Sequence, residues 1–282
     1  MTISVFDKFD NAALKEYLDV CSLFCKLDID HAGKLALNAI RYYKGNKYER
    51  KYQRLLYELE TRWYASLESN KPDYSIYNDI AYLSDIWACW NVYSRKYLLN
   101  INSGKSLAYR DSHNNWSKYK SIVEDIGIIK SVVDLGCGFG YTTAGLKELF
   151  TGARVYGTNI KDSTQYKIAS YFGNNYGFSL VPDIYSLGTS IDLVFASEYF
   201  EHIINATEHL IEIIDILKPK YFITANAFTA KSMGHFYRYK YNGTYYDGKT
   251  TSRLFNKVLR TNGYEKVHTN LWNSRPAYWK KK

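Results

Sequence analysis

Residues 132–143 read VVDLGCGFGYTT. Three glycines stand at alternate positions, 136, 138 and 140, directly after an apolar run that carries one acid, Asp134. Few local patterns restrict a fold so strongly. Glycine reaches backbone conformations closed to other residues and lets the main chain run against another surface with no Cβ between. An apolar run ending in such a turn and resuming on Tyr-Thr-Thr describes a buried strand, a tight turn and the first turn of a helix. The free N–H groups of that helix start favour a carboxylate nearby.

The rest of the chain agrees with a strand–turn–helix architecture. From about residue 118 a short helix (SKYKSIVEDIG) precedes SVVDLG, and strand-like and helix-like segments then alternate: ARVYGTNI, DSTQYKIASYFG, FSLVP, IDLVFAS, INATEHLIEIIDILK and KYFITANAF. A helical TSRLFNKVLRTNG and two closing strands, YEKVHTNLW and PAYWKKK, follow. Alternation of this kind argues for a mostly parallel sheet covered on both faces. Between them, YKYNGTYY reads as a β-hairpin turning at Asn242-Gly243. Residues 1–125 read as helical instead. Leu14, Tyr17, Leu18, Cys21, Phe24 and Cys25 keep helical spacing, Asp30 is placed to cap a second helix, and Tyr48, Tyr52, Leu55, Leu59 and Trp63 share one face of a third. A fourth helix is expected over IYNDIAYLSDIWACWNVYSRKYLL. The division expected is a helical domain over 1–117, which selects or covers the substrate, and an α/β domain over 118–282.

The glycine spacing discriminates between nucleotide-like ligands. A dinucleotide fingerprint starting at Gly136 needs a glycine at 141, where Tyr141 stands. A phosphate-binding P-loop ending in Gly104-Lys105-Ser106 needs a glycine at 99, where Leu99 stands. What remains is Asp134-x-Gly136-x-Gly138-x-Gly140. This motif, together with IDLVFASEYFEHI, resembles the class I S-adenosylmethionine (SAM)-dependent methyltransferases over residues 118–282. The resemblance implies a Rossmann-like seven-stranded α/β sheet and SAM as cofactor. It implies a cofactor site built from Asp134, Gly136, Cys137, Gly138, Gly140, Asn159, Ile160, Asp183 and Ser197. Asp134 would anchor the methionine amino group, and Asp183 would either accept from the adenine amino group or cap its own loop. The family usually carries an acid where this chain has Asn159, which lacks the two-oxygen grip of a carboxylate on the ribose hydroxyls; either Asn159 does the job more weakly, or nearby Asp162 helps, or the cofactor is held differently. On that basis Asn159→Asp should preserve or tighten SAM binding.

Methyl transfer needs an aligned acceptor and a destination for any acceptor proton. Glu198, Glu201 and His202 follow the fourth strand of the motif and are the catalytic candidates, His202 having the intrinsic pKa of a base; E-H at this place also serves to brace a loop. NAFTAKSMGHFYRYKYNGTYYDGK mixes aromatic and basic residues, and His235, Tyr237, Arg238 and Tyr239 are candidates for substrate contact. No D-P-P-Y-like motif follows strand four and no Pro-Cys pair occurs, so the chemistries that use them are unsupported.

Composition bounds the partners. The net charge of +9 is uneven: +2 over residues 1–125, −5 over 126–217 and +12 over 218–282. A basic terminal quarter points to an anionic acceptor, a nucleotide, a nucleotide-linked molecule or nucleic acid. A small-molecule acceptor and a SAM- or nucleic-acid-binding protein without turnover are the alternatives. No run is apolar enough for a membrane span. Four cysteines, Cys21, Cys25, Cys89 and Cys137, and a mixed acidic N-terminus lead us to expect free thiols in the cytoplasm. Cys21 and Cys25 have only His31 near them, so no metal site is expected. The oligomeric state is open.

Overall fold

The computed structural model describes residues 6, 11–25, 28–110, 116–188 and 190–282. Five helices come first: α1 (Asn11–Cys25), α2 (Ile29–Tyr43), α3 (Arg50–Glu68), α4 (Ile80–Cys89) and α5 (Arg95–Asn102). The fourth expected helix is divided. Tyr74–Asn78 forms a 3₁₀ turn, Asp79 caps α4 by accepting from Ala81 N–H, and a π-helical turn over Trp90–Ser94 joins α4 to α5. Asp28, not Asp30, caps α2, with its carboxylate accepting from Asp30 N–H at 3.0 Å. The cap must precede the helix by one residue, because its own backbone is extended.

A hairpin follows, β1 (Leu107–Arg110) against β2 (Trp116–Lys120). The segment SKYK, expected to be helical, is therefore strand. The helix starts only at α6 (Ile122–Ile126), where Ser121 and Glu124 form a reciprocal capping box.

The α/β part then runs β3 (Ser131–Leu135), α7 (Tyr141–Leu149), β4 (Arg154–Thr158), α8 (Thr164–Tyr176), β5 (Ser179–Val181), β6 (Leu193–Ser197), α9 (Ala206–Leu217) and β7 (Tyr221–Ala225). It closes with a hairpin, β8 (Arg238–Tyr241) and β9 (Thr244–Asp247), then α10 (Gly248–Thr261), β10 (Tyr264–Val267) and β11 (Ala277–Lys281). Seven strands form one sheet in the order β10-β11-β7-β6-β3-β4-β5. β3 to β7 are parallel, whereas β11 runs antiparallel to β7 and to β10. The chain order reverses at β3, with β4 on one side and β6 on the other. Ligands bind at such a switch point, beyond the carboxyl ends of the strands.

Every residue of β3 is buried, and alternate side chains enter opposite layers. Val132 belongs to the layer of Phe139, Tyr141, Phe172 and Phe195; Val133 belongs to the layer of Val194, Leu210, Phe222 and Phe255. The N-terminal helices join both layers. Tyr17, Trp87 and Leu98 belong to the first, and Leu59, Trp63, Ile76 and Tyr82 to the second. The helical layer thus wraps the sheet and shares its core. No helix among the described residues is long and apolar enough to cross a membrane.

Candidate active site

Beyond the carboxyl ends of β3, β4 and β6 lies a cavity of about 830 Å³. Its floor carries Asp134, Gly136 and Gly138 at the end of β3 and just beyond, Thr158 and Asn159 at the exit of β4, and Ser197, Glu198 and Tyr199 at the exit of β6. The helical layer supplies the roof, with Tyr42, Tyr43, Tyr77, Tyr82, Asp85 and Tyr97 among its members.

The glycine turn shapes the floor. Gly136 has φ +64°, and its N–H donates to Thr158 Oγ1 at 3.1 Å. A Cβ there would stand 2.4 Å from the Tyr199 ring, so the missing side chain lets the β3 and β6 exits approach. Gly140 caps α7. Asp134 is buried, and its Oδ2 accepts from Thr143 Oγ1 at 2.7 Å. Burial pushes its carboxyl up to about 7, against the lowering effect of that hydrogen bond. Cys137 lies buried beside the same turn, and burial raises its thiol well above the usual range.

Asn159 is engaged from both ends of its amide. Nδ2 donates to Gly138 O at 2.8 Å, and Oδ1 accepts from Ile160 N–H at 2.8 Å. A carboxylate could not make the first bond. This is a physical reason for an amide here: it ties the end of β4 to the glycine turn. Ile160 is exposed at the cavity's edge. Asp183 also lines the cavity, but its carboxylate accepts from Ser186 N–H and Oγ at 2.9 and 2.8 Å, which holds it below the usual carboxylate range. Ser197 Oγ lies 3.4 Å from Ser94 Oγ, where the π turn meets β6.

The three catalytic candidates lie together. Glu198 has φ +50°, a sparsely populated conformation for this residue type. Glu201 is fully buried, its Oε1 accepts from Ala227 N–H at 2.8 Å, and its Oε2 has no hydrogen-bond partner. Burial raises both carboxyls, and each stands close to the other. His202 Nδ1 is 3.3 Å from the Tyr77 hydroxyl, and its ring packs edge-on to His235 at 4.7 Å. Depth beneath the surface and then His235 lower its pKa well below the usual value, so it is neutral at pH 7. His202 is partly accessible and lines the cavity.

The aromatic and basic segment divides. His235 lines the cavity. Tyr239 is 1% exposed and packs against Phe228 and Phe236 in the core of the β8–β9 hairpin. Tyr237 leans on Tyr64 outside the cavity, and Arg238 is exposed at the start of β8. Of the fourteen basic residues in 218–282, Lys231 and Arg275 line the cavity. The other cations lie outside its wall, on α10 and the β10–β11 edge among other places.

Sequence reasoning missed Tyr77, Asp85, Tyr93, Tyr97 and Arg275 as cavity residues. A signal was present: Asp85 sits in an otherwise apolar run, and burial pushes it up to about 7. Arg275 follows no pattern; its guanidinium donates to Asn226 O across the β7 exit.

Residues 133–223 match the family model described as a methyltransferase domain. They begin in β3 and end in β7, so they cover the switch point and the cavity floor. This part of the chain is a methyltransferase domain on a seven-stranded, mostly parallel sheet. The floor fits SAM, the cofactor that the glycine motif implies: positive-φ glycines leave a main-chain cradle, with a buried carboxylate beside it. Comparison with curated proteins finds no match. Among solved structures, an O-methyltransferase family protein from Burkholderia thailandensis is 12% identical, over 82% of this chain and 70% of that one, at TM-score 0.48. The SAM-bound magnesium protoporphyrin IX methyltransferase of Synechocystis PCC 6803 is 17% identical, over 57% and 76%, at TM-score 0.41.

Proposed function

We propose that this methyltransferase acts on a small, flat acceptor held in the roofed cavity, in the first place a nucleotide or nucleotide-linked molecule. The observation that carries this reading is the cavity itself. Its volume is that of a small-molecule site. Its tyrosine walls suit stacking on a ring, and Lys231 and Arg275 bring positive charge to the lining. A polymer would have to enter beneath a roof that α3 and α4 hold against both layers of the core.

SAM supplies a methyl group on a sulfonium centre. When SAM is bound, Asp134 would hold its ammonium and the glycine turn its methionine part, with Asn159 bracing that turn through Gly138 O. His202, neutral and beside Tyr77, accepts the acceptor's proton. A neutral aromatic acceptor is the second reading, favoured by the acids Asp85 and Glu198 in the same wall.

The test is transfer of labelled methyl groups to nucleotides, nucleotide conjugates, phenols and short RNA and DNA strands. Nucleotides should be labelled with a weak salt dependence. Preferential labelling of the strands, with an affinity that falls steeply with salt, would sink the proposal.

A further inference from the structure

We propose that Glu198, Glu201 and His235 form a binding site for one divalent metal ion on the cavity wall. One possible ligand atom from each lies within 4.8 Å of the other two. Two carboxylate oxygens and one imidazole nitrogen make a donor set suited to Mn²⁺ and related divalent ions.

Three observations support it independently. The first is the unpartnered Oε2 of Glu201. This side chain has no exposed surface, and its other oxygen is already bonded to Ala227 N–H. A buried carboxylate oxygen without a donor is costly unless a cation or proton reaches it. The second is that Glu198 brings another carboxyl against it at the cavity wall. Like charges so placed repel strongly, and a cation between them reverses the sign. The third is the tautomer of His235. Its Nδ1 stands 3.0 Å from Ala230 O and donates to it, which leaves the Nε2 lone pair for a ligand.

The surroundings hold these groups in place. Phe236 N–H donates to Glu201 O at 3.0 Å, and Trp63 Nε1 donates to His235 O at 2.7 Å. The two segments that carry the ligands are thus tied to each other and to α3. Glu198 and His235 line the cavity, so the remaining coordination positions face the acceptor space. An acceptor oxygen can complete the shell there. That use rests on the reading of the cavity as the acceptor site, whereas metal binding does not.

The experiment titrates Mn²⁺ alone into chelator-treated full-length protein, without SAM or acceptor, followed by electron paramagnetic resonance and thermal unfolding. One Mn²⁺ per chain is expected, with a rise in Tm. Glu201→Gln and Glu198→Gln should each weaken binding by more than about tenfold and remove that rise. The metal-free variants should unfold no lower than the metal-free parent, since a repulsive carboxylate pair has gone. If Glu201→Gln does not fold, Glu198→Gln and His235→Asn decide. No stoichiometric binding, or binding that survives these substitutions, overturns the proposal. A proton shared by the two carboxyls, with no Mn²⁺ bound, overturns it equally. Because no acceptor is present, failure here leaves the acceptor proposal to its own test.

Discussion

Asn159 shows most clearly how a single side chain changes meaning once its neighbours are known. From the sequence, an acid at this place looks harmless or helpful. In the fold, Asn159→Asp replaces a donor to Gly138 O with a carboxylate facing that carbonyl. SAM binding should weaken by about 1–3 kcal/mol, roughly 5- to 150-fold in Kd by calorimetry. Gly136→Ala should be worse. It demands a positive φ costing about 1–2 kcal/mol and drives a methyl group into the Tyr199 ring, so SAM titration should show no binding. Asp134 sets a pH dependence. Its carboxyl is raised, so between about pH 4 and 7 the folded apo protein holds a proton that the unfolded chain has lost. That contribution to stability declines as pH rises through this window and changes no further above it. Asp134→Asn should therefore raise the apo Tm at pH 8, leave it nearly unchanged at pH 4, and abolish the increase in SAM affinity from pH 6 to 8.

Elements were legible where one local rule governs them. The glycine turn, the alternation of strands and helices after residue 130, and the Asn242-Gly243 hairpin each follow from short-range patterns, and each is present. Elements governed by distant contacts were not. SKYK pairs with Leu107–Arg110 as a strand, although its own residues carry no strand pattern. The single helix expected from Ile76 to Leu99 divides at Asp79 and at the π turn, where Ser94 meets Ser197. The docking of α3 is testable at this scale. Trp63→Phe keeps the ring packing but leaves His235 O without its donor. We expect a loss of about 1–3 kcal/mol in urea unfolding and a raised KM for the acceptor, because the 230–236 loop forms part of the cavity wall.

At the scale of the whole molecule, the helical layer shares both main cores with the sheet and keeps only a small cluster of its own, Leu35, Ala39, Tyr52 and Ala88. Tyr17, Trp87 and Leu98 pack in one cluster with Phe139, Tyr141 and Phe172. Residues 103–282 produced alone should lose their near-UV circular dichroism and bind hydrophobic dyes, while the full chain does neither. A cooperative, dye-free fragment would show that the two parts fold independently. The site was legible in part for the same reason. Asp134, Gly136, Gly138 and Glu198 belong to contiguous motifs at strand exits, and strand exits converge in a parallel sheet. Tyr77, Asp85 and Arg275 reach the cavity from segments far apart in the chain, and no local pattern marks such convergence.

The amino-acid sequence by itself determined the sheet and the glycine cradle at its switch point. Glycine spacing and strand–helix periodicity act over a few residues, and the chain must satisfy them locally. Only the tertiary structure decided what encloses the cofactor site. Burial placed Tyr239 in the core and His235 on the wall, though the two stand four residues apart. It also set most of the C-terminal charge outside the cavity. Which side of an element faces a distant partner depends on packing over the whole chain, and that is settled only when both layers close on one sheet.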